Sequence, residues 1–481
     1  MQDDNNGLKQ TPTSEALDLK TKLAYGVGTL GQSMTGNISA IFMLLFYTNV
    51  AGIPAGLAGS ILMVGKIGDA VNDPMVGWLT DKTKSRRWGR RLPWLFYGAI
   101  PFALSRFLLW VVPEFSSDKS SNIWWLFSYY VIIGVVSEAL FTVVNLPYAA
   151  MTPELTQDYD ERTNLNSFRF AFSISGDILS LVLATIIFSV IANPQQQYLV
   201  LAGICSFVAV IGLYLCVYGV RDRLLAFEKE HHQISEPEKI PFPEQLSTLW
   251  TNKPFLFVTA IFLCSWLGAN ITAAILPYFI IYCMKLKNAD VPLVLIVVQG
   301  TALLMLFVWS NLSKRIGKKL VYAMGISLWI IASFGLFFVQ PQQVWLLYII
   351  AIVAGCGLSI AYLIPASMIP DVIDLDQLQT GQRREGIFYG FMVLLQKFGL
   401  AFGLFLVSNI LQFLGFNPSV DGQISTQPDS ALLAIRIVVS PVTIFFLSLG
   451  LILNYFYPLT RDIHAEIMLK LKEGREEIER R

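Results

Sequence analysis

Long apolar runs alternate with short polar breaks along the whole chain, and most of the runs are close to the roughly 20 residues a helix needs to cross a bilayer. They fall near residues 24–50, 56–80, 92–113, 122–151, 165–192 and 197–220, and again near 254–284, 290–312, 319–339, 343–369, 386–415 and 430–457. Twelve membrane-spanning helices are expected. The only long internal hydrophilic stretch, 221–253, is rich in Glu, Lys, His and Pro and separates the spans six and six. The expected organisation is a first six-helix half (1–221), a linker (222–253), a second six-helix half (254–457) and a tail (458–481). In the tail, Ile463, Ile467 and Leu471 recur at helical spacing among many charges, which predicts a solvated helix.

A weak repeat supports the division. "RWGRRL" (87–92) follows span two and "RIGKKL" (315–320) follows span eight. "PYAAMTPELTQDYDERT" closes span four, and "PASMIPDVIDLDQLQTGQRRE" follows span ten. Parallel six-helix repeats around a central cavity would place each pair at equivalent positions. Chance likeness between short basic loops explains one such pair more easily than two in register.

Composition agrees with the pattern: of 481 residues 54% are hydrophobic and only 14% charged, about half the usual charge of a soluble domain. This is the composition of a polytopic membrane protein. With the N-terminus inside, the inner loops carry 18 Lys and Arg against 3 in the outer loops, so both termini are expected in the cytoplasm. Residues 1–20 are polar and do not read as a signal peptide. The five cysteines lie in or beside apolar spans and suggest packing rather than disulfides or a metal. There is no phosphate-binding G-x-x-x-x-G-K-[ST], and the three histidines (231, 232 and 464) lie in the linker and tail. ATP-driven transport, intramembrane hydrolysis and enzymatic activity are not expected.

The informative residues are the charges inside apolar spans. Asp69 and Asp73 stand four apart in span two, on one helix face. Facing lipid they would be costly, so they should face the bundle interior or a water-filled cavity. Two carboxylates this close ionise together only with a cation between them or with one protonated, which describes a site for Na⁺, Li⁺ or a proton. Pro74, directly after, frees a backbone carbonyl nearby. The alternative reading is a salt-bridged pair that serves only packing. Lys397 in span eleven and Arg169 in span five are candidate countercharges, and Lys66 pairing with Asp69 along its own helix is another. Span four offers Thr142, Asn145 and Pro147 as a cavity wall, although Thr142 has the alternative of bonding its own backbone. Glu138 and Asp177 are further charges within spans, while Arg106 and Arg436 are expected to snorkel at the outer ends. Tyr25, Ser33 and Asn37 line span one at helical intervals, with Gly26, Gly28, Gly31 and Gly36 allowing close helix contact.

Four stretches together resemble a known family: "YGVGTLGQS", "GDAVNDPMVGWLTDKTKSRRWGRRLPW", "NLPYAAMTPELTQDYDERTNLNSFR" and "MIPDVIDLDQLQTGQRREGIFYGFMVLLQK". They are similar to the glycoside-pentoside-hexuronide:cation symporters, the melibiose-permease branch of the major facilitator superfamily, over nearly the whole chain. The resemblance implies an all-α membrane protein with twelve transmembrane helices in two six-helix halves. It also implies that Asp69 and Asp73 bind the coupling cation, that Thr142 assists them, that Lys397 matches the family's lysine near that site, and that Arg169 matches its arginine in span five. On the sugar side the chain departs from the pattern: Ser33 and Asn145 stand where that branch has carboxylates, and Ala149 where it has a stacking tryptophan. These three, with Tyr25 and Asn37, are the candidate substrate-cavity residues.

The expected function is therefore cation-coupled (Na⁺ or H⁺) symport of a glycoside or similar small polar solute by alternating access. The expected partners are that solute, the coupling cation and the bilayer, with no nucleic acid, no organic cofactor and a monomeric state. A bacterial inner membrane fits the short outer loops. Two alternatives stand beside this reading: a sodium-dependent symporter of lysolipid type, and a non-transporting sensor or scaffold, which has no need of a buried carboxylate pair.

Overall fold

The computed structural model describes residues 17–83, 85, 88–156, 159–230, 252–380, 385–418 and 426–479, and every regular element among them is helical. In the first half these are α1 (Leu19–Asn49), α2 (Ala55–Lys82), α3 (Leu92–Leu108), α4 (Lys119–Ala150), a short α5 (Thr152–Leu155), α6 (Tyr159–Val190) and α7 (Pro194–Glu230). The second half has α8 (Lys253–Tyr278), α9 (Asp290–Ile316), α10 (Lys318–Phe338), α11 (Val344–Thr380), α12 (Glu385–Phe413), α13 (Asp429–Ile437) and α14 (Thr443–Phe456), and the tail is α15 (Arg461–Glu479). A wider π-helical turn extends α8 over Phe279–Cys283, and another joins α13 to α14 over Val438–Val442. The second contains Pro441, which lacks the N–H an α-helical turn would use, so the chain widens there and continues as one span.

Among the described residues, nine helical segments are long and apolar enough to cross a membrane by composition alone. The shorter α3 is also apolar, and α1 and α2 are long but more polar, a set consistent with twelve spans. The fold is that of an all-helical, multi-pass membrane protein. One boundary differs from expectation: α7 runs on to Glu230, so 222–230 are helix rather than connector, and 231–251 lie outside the described residues.

Helix pairing in the first half recurs six spans later. α1 packs on α6 and α7, as α8 packs on α12 and α14; α3 lies on α4 and α7, as α10 lies on α11 and α14. α2 packs on α4 and crosses to α12, while α9 packs on α11 and crosses to α6, and α1 meets α8 between the halves. The sequence repeat has a matching physical counterpart. At the basic end of the first half Arg90 and Arg91 reach Glu154, at 2.6 and 3.2 Å, in the segment Met-Thr-Pro-Glu. In the second half Lys318 reaches Asp371 at 2.7 Å in Met-Ile-Pro-Asp. In each half the basic loop after the second span holds the acid that follows a proline in the fourth.

Close approach is paid for by glycine in α1: a Cβ on Gly31 would stand 2.2 Å from the Ala209 backbone. Gly36, expected to serve the same purpose, has open space above it and lines the central cavity instead.

The apolar core separates the two ends of the bundle. At the end opposite the basic loops one continuous cluster draws on both halves, with Phe46, Tyr47 and Tyr130 packed in the same core as Tyr278, Phe279 and Val439. Cross-half hydrogen bonds reinforce it: Thr48 Oγ1 to Tyr278 Oη at 2.7 Å, and Gly56 N–H to Gln412 Oε1 at 2.5 Å. At the basic end the described residues form two separate clusters, one per half. The halves are fastened at the end opposite the basic loops, as in the state of such a bundle that opens toward the basic end.

The tail helix is docked rather than free. Ile467 is buried in the second-half core, and His464 lies 3.2 Å from Asp374 and 3.5 Å from Asp371 on α11.

Candidate functional site

At the middle of the bundle α2 faces α4 on one side and α12 on the other, which brings residues far apart in sequence into one cluster. Thr142 Oγ1 lies 2.9 Å from Asp69 Oδ1 and 2.9 Å from Asp73 Oδ1. Lys397 Nζ lies 2.8 Å from Asp69 Oδ2 and 2.5 Å from Asp73 Oδ2. Each carboxylate thus presents one oxygen to the hydroxyl and the other to the ammonium. Thr142 has a single proton, so it donates to one carboxylate at a time. With both acids ionised the cluster is one positive charge short, and a monovalent cation or a proton restores neutrality. The Asp69 side chain is only 5% exposed and the Asp73 side chain 31%, so the second carboxylate is the one within reach of solvent.

One turn farther from the basic end is a second cluster. Glu138, four residues before Thr142, binds Lys66 at 3.0 Å and Arg106 at 3.3 Å. Arg106 is buried between the Phe102 and Phe141 rings, 5.7 and 5.1 Å from their centroids. These two cations against one carboxylate leave a positive excess beside the negative one of the aspartate cluster. Lys66, Arg106 and Glu138 all line a central cavity of about 420 Å³, together with Asn145 and Asp177. A narrower apolar recess of about 140 Å³ extends from it between α8, α9 and α11, and shares Asn37, Ala40 and Asn270 with the main cavity.

Residues 24–461 match the family model described as MFS/sugar transport protein. The chain belongs to that family. It is 46% identical to an uncharacterised symporter of Synechocystis, over 97% of this chain and 98% of that protein. It is 26% identical to a sodium-dependent lysophosphatidylcholine symporter of Danio rerio, over 98% of this chain and 92% of that one. Its fold is similar to the inward-facing crystal structure of a bacterial homologue of the iron transporter ferroportin, with TM-score 0.63 at 14% identity, over 92% of this chain and 99% of that one. This member of the MFS/sugar transport family is therefore an integral multi-pass membrane symporter of the major facilitator superfamily, and not an enzyme.

Several residues of this symporter stand elsewhere than the sequence suggested. Arg169 is not in the aspartate cluster; its guanidinium lies over the Phe170 ring, and its backbone carbonyl accepts from Thr29. Tyr25 does not line the cavity: it is fully buried, stacked on Tyr148 at 4.7 Å with its hydroxyl 2.7 Å from Thr152 Oγ1. Ser33 reaches the cavity wall, but its hydroxyl is held by the Leu30 and Ser173 carbonyls, at 2.9 and 2.8 Å. Asn37 lines the cavity and donates to the Asp177 carbonyl and Ser180 Oγ, both at 3.0 Å. Ala149, one turn past Asn145, is not part of the lining. Lys66 pairs with Glu138 and not with Asp69. Arg106 does not snorkel, because Glu138 gives it a partner in the interior; Arg436 instead donates to the Phe337 and Val339 carbonyls at the end of α10. The Lys66–Glu138–Arg106 cluster was missed, and its signal was spacing: Lys66 precedes Asp69 by three and Glu138 precedes Thr142 by four, so each shares a face with the aspartate site.

Proposed function

We propose that the protein is a cation-coupled symporter in which Asp69 and Asp73 bind Na⁺ or a proton and a small polar solute of the glycoside class occupies the central cavity. The observation that carries this reading is the four-part contact of Asp69, Asp73, Thr142 and Lys397, in which two carboxylates share one hydroxyl and one ammonium. Lys397 comes from the second half and holds the place of a mobile cation. When Na⁺ or H⁺ arrives, the ammonium has less to bind, and the tie between α2 and α12 loosens. Binding of the ion is thereby linked to movement of one half against the other. The basic end faces the cytoplasm, with the termini there, in a bacterial plasma membrane. The membrane potential then contributes about 2.3 kcal/mol per charge at 100 mV, about fifty-fold accumulation for one cation.

The glycoside reading rests on the polar cavity wall, where Asn145 and Asn37 offer amides to hydroxyl groups, and on the resemblance to the melibiose-permease branch. A second reading has its own observation: the apolar recess continuous with that cavity suits an amphiphile, the class to which the lysophosphatidylcholine carried by the Danio rerio relative belongs. Uptake into proteoliposomes under imposed Na⁺ or H⁺ gradients, over a panel of glycosides, uronides and lysolipids, tests both. Gradient-driven uptake of a glycoside that disappears in Asp73→Asn is expected. Uptake that persists unchanged in that variant would remove the aspartates from coupling, and uptake of lysolipids alone would transfer the substrate to the second reading.

A further inference from the structure

A second cavity, of about 840 Å³, lies at the basic end, where α9 turns into α10 and α14 gives way to α15. Gly317, with φ of +88°, makes the tight turn that brings the ends of α9 and α10 together. Lys314, Arg315, Lys318, Lys319 and Arg461 line the space, against one carboxylate among the described residues, Asp371. That carboxylate is already taken by Lys318, at 2.8 and 2.7 Å. Lys319 donates to the Tyr455 and Tyr457 carbonyls at 2.6 and 3.0 Å, which leaves one of its three hydrogens. The cavity therefore holds a strong excess of positive charge.

Tyr457 and Asn454, each only 2% exposed, form part of the cavity wall, and the Asn454 amide donates to the Lys319 carbonyl at 2.9 Å. The same cavity climbs toward the bilayer core along Leu320, Ala323 and Ser327 of α10 and Leu451 and Tyr455 of α14. Leu320 and Tyr455 are exposed on the lipid-facing side.

We propose that this cavity binds an anionic phospholipid, its phosphodiester against the basic rim and an acyl chain between α10 and α14. A free phosphate satisfies the rim and leaves the apolar groove uncovered. The bound lipid joins the α9–α10 turn, the end of α14 and the tail helix, and so braces the basic end of the second half. This is independent of the transported substrate.

The test is lipid retention by native mass spectrometry, with thermal unfolding, on the full chain in detergent supplied with phosphatidylglycerol, phosphatidylcholine or inorganic phosphate. Phosphatidylglycerol is expected to be retained and to raise the melting temperature by several degrees, while the other two are not. The double variant Lys314→Gln, Arg315→Gln removes two exposed rim charges and should weaken retention about tenfold or more. An equal shift with phosphatidylcholine, an equal shift with inorganic phosphate, or a double variant that retains the lipid as the parent does would each overturn the proposal.

Discussion

The two halves share a fold and divide the chemistry unequally. Around the central cavity the first half supplies Lys66, Arg106, Glu138 and Asp177, with Asp69 and Asp73 beside them. The second half supplies Asn270, Leu400 and Leu404 to that cavity, most of the apolar recess, and one ammonium, Lys397, that reaches across. The two halves have matching salt bridges at the basic end, Arg90–Glu154 and Lys318–Asp371, where they fasten loops. In the interior, where buried charge is expensive, charge is concentrated on one side. The link between the halves then depends on few groups, and a small change in charge at one place can alter how they meet.

The sharpest way to break this contrast is at Lys397. Without its ammonium the two aspartates are left facing each other, and removing one partner of a buried ion pair costs about 3–5 kcal/mol. Lys397→Met is expected to abolish gradient-driven uptake and to unfold at a lower temperature, with Na⁺ or acid restoring much more stability than in the parent; a melting temperature indifferent to both would leave the second half without a role at the site. Glu138→Gln should come next, because it strands Lys66 and Arg106 in the interior while sparing the aspartate cluster. It should lower stability by about 3 kcal/mol and impair transport at every cation concentration, and transport rescued simply by more Na⁺ would place Glu138 in cation binding instead.

Thr142→Val keeps the shape and removes the shared hydroxyl. A hydrogen bond to a charged group contributes about 1.5–3 kcal/mol, so cation affinity, read as the half-saturating concentration for uptake, is expected to weaken about tenfold or more. At the end opposite the basic loops, Tyr278→Phe removes the bond to Thr48 from the joint core, which costs about 1 kcal/mol. That shifts the balance between open states about fivefold toward opening at that end, readable as faster alkylation of a cysteine placed at Ala40 by an impermeant reagent applied from that side. The smallest effect is expected at Tyr25→Phe, whose hydroxyl bonds Thr152 away from the cavity: the Michaelis constant for substrate should move less than twofold, whereas Asn145→Leu should raise it clearly.

How far the chain could be read in advance differs between these places. Asp69, Asp73, Thr142 and Lys397 were recognisable one by one because polar groups in apolar runs have few reasons to be there, and the structure brings the four together. Arg106 was misassigned because a long basic side chain near a span end has two solutions, reaching the interface or finding a carboxylate, and the presence of Glu138 on another helix decides between them. Tyr25 and Ser33 sat at plausible intervals along α1, yet that helix is packed on α6 and α7 over much of its surface, so most of its polar side chains bond neighbouring helices. Gly36 and Gly31 are indistinguishable as letters; one opens onto a cavity and the other touches a backbone.

The hydrophobic pattern by itself determined an all-helical protein with many membrane spans, because length and local composition set what a bilayer accepts. It also determined that some charges must turn inward, since each side chain carries its own desolvation cost. Only the tertiary structure decided which charges meet, which half owns the cavity's chemistry and which end of the bundle is fastened. Those are properties of pairs of helices, and the contact between Lys397 and Asp73, 324 residues apart, leaves no trace in the neighbourhood of either.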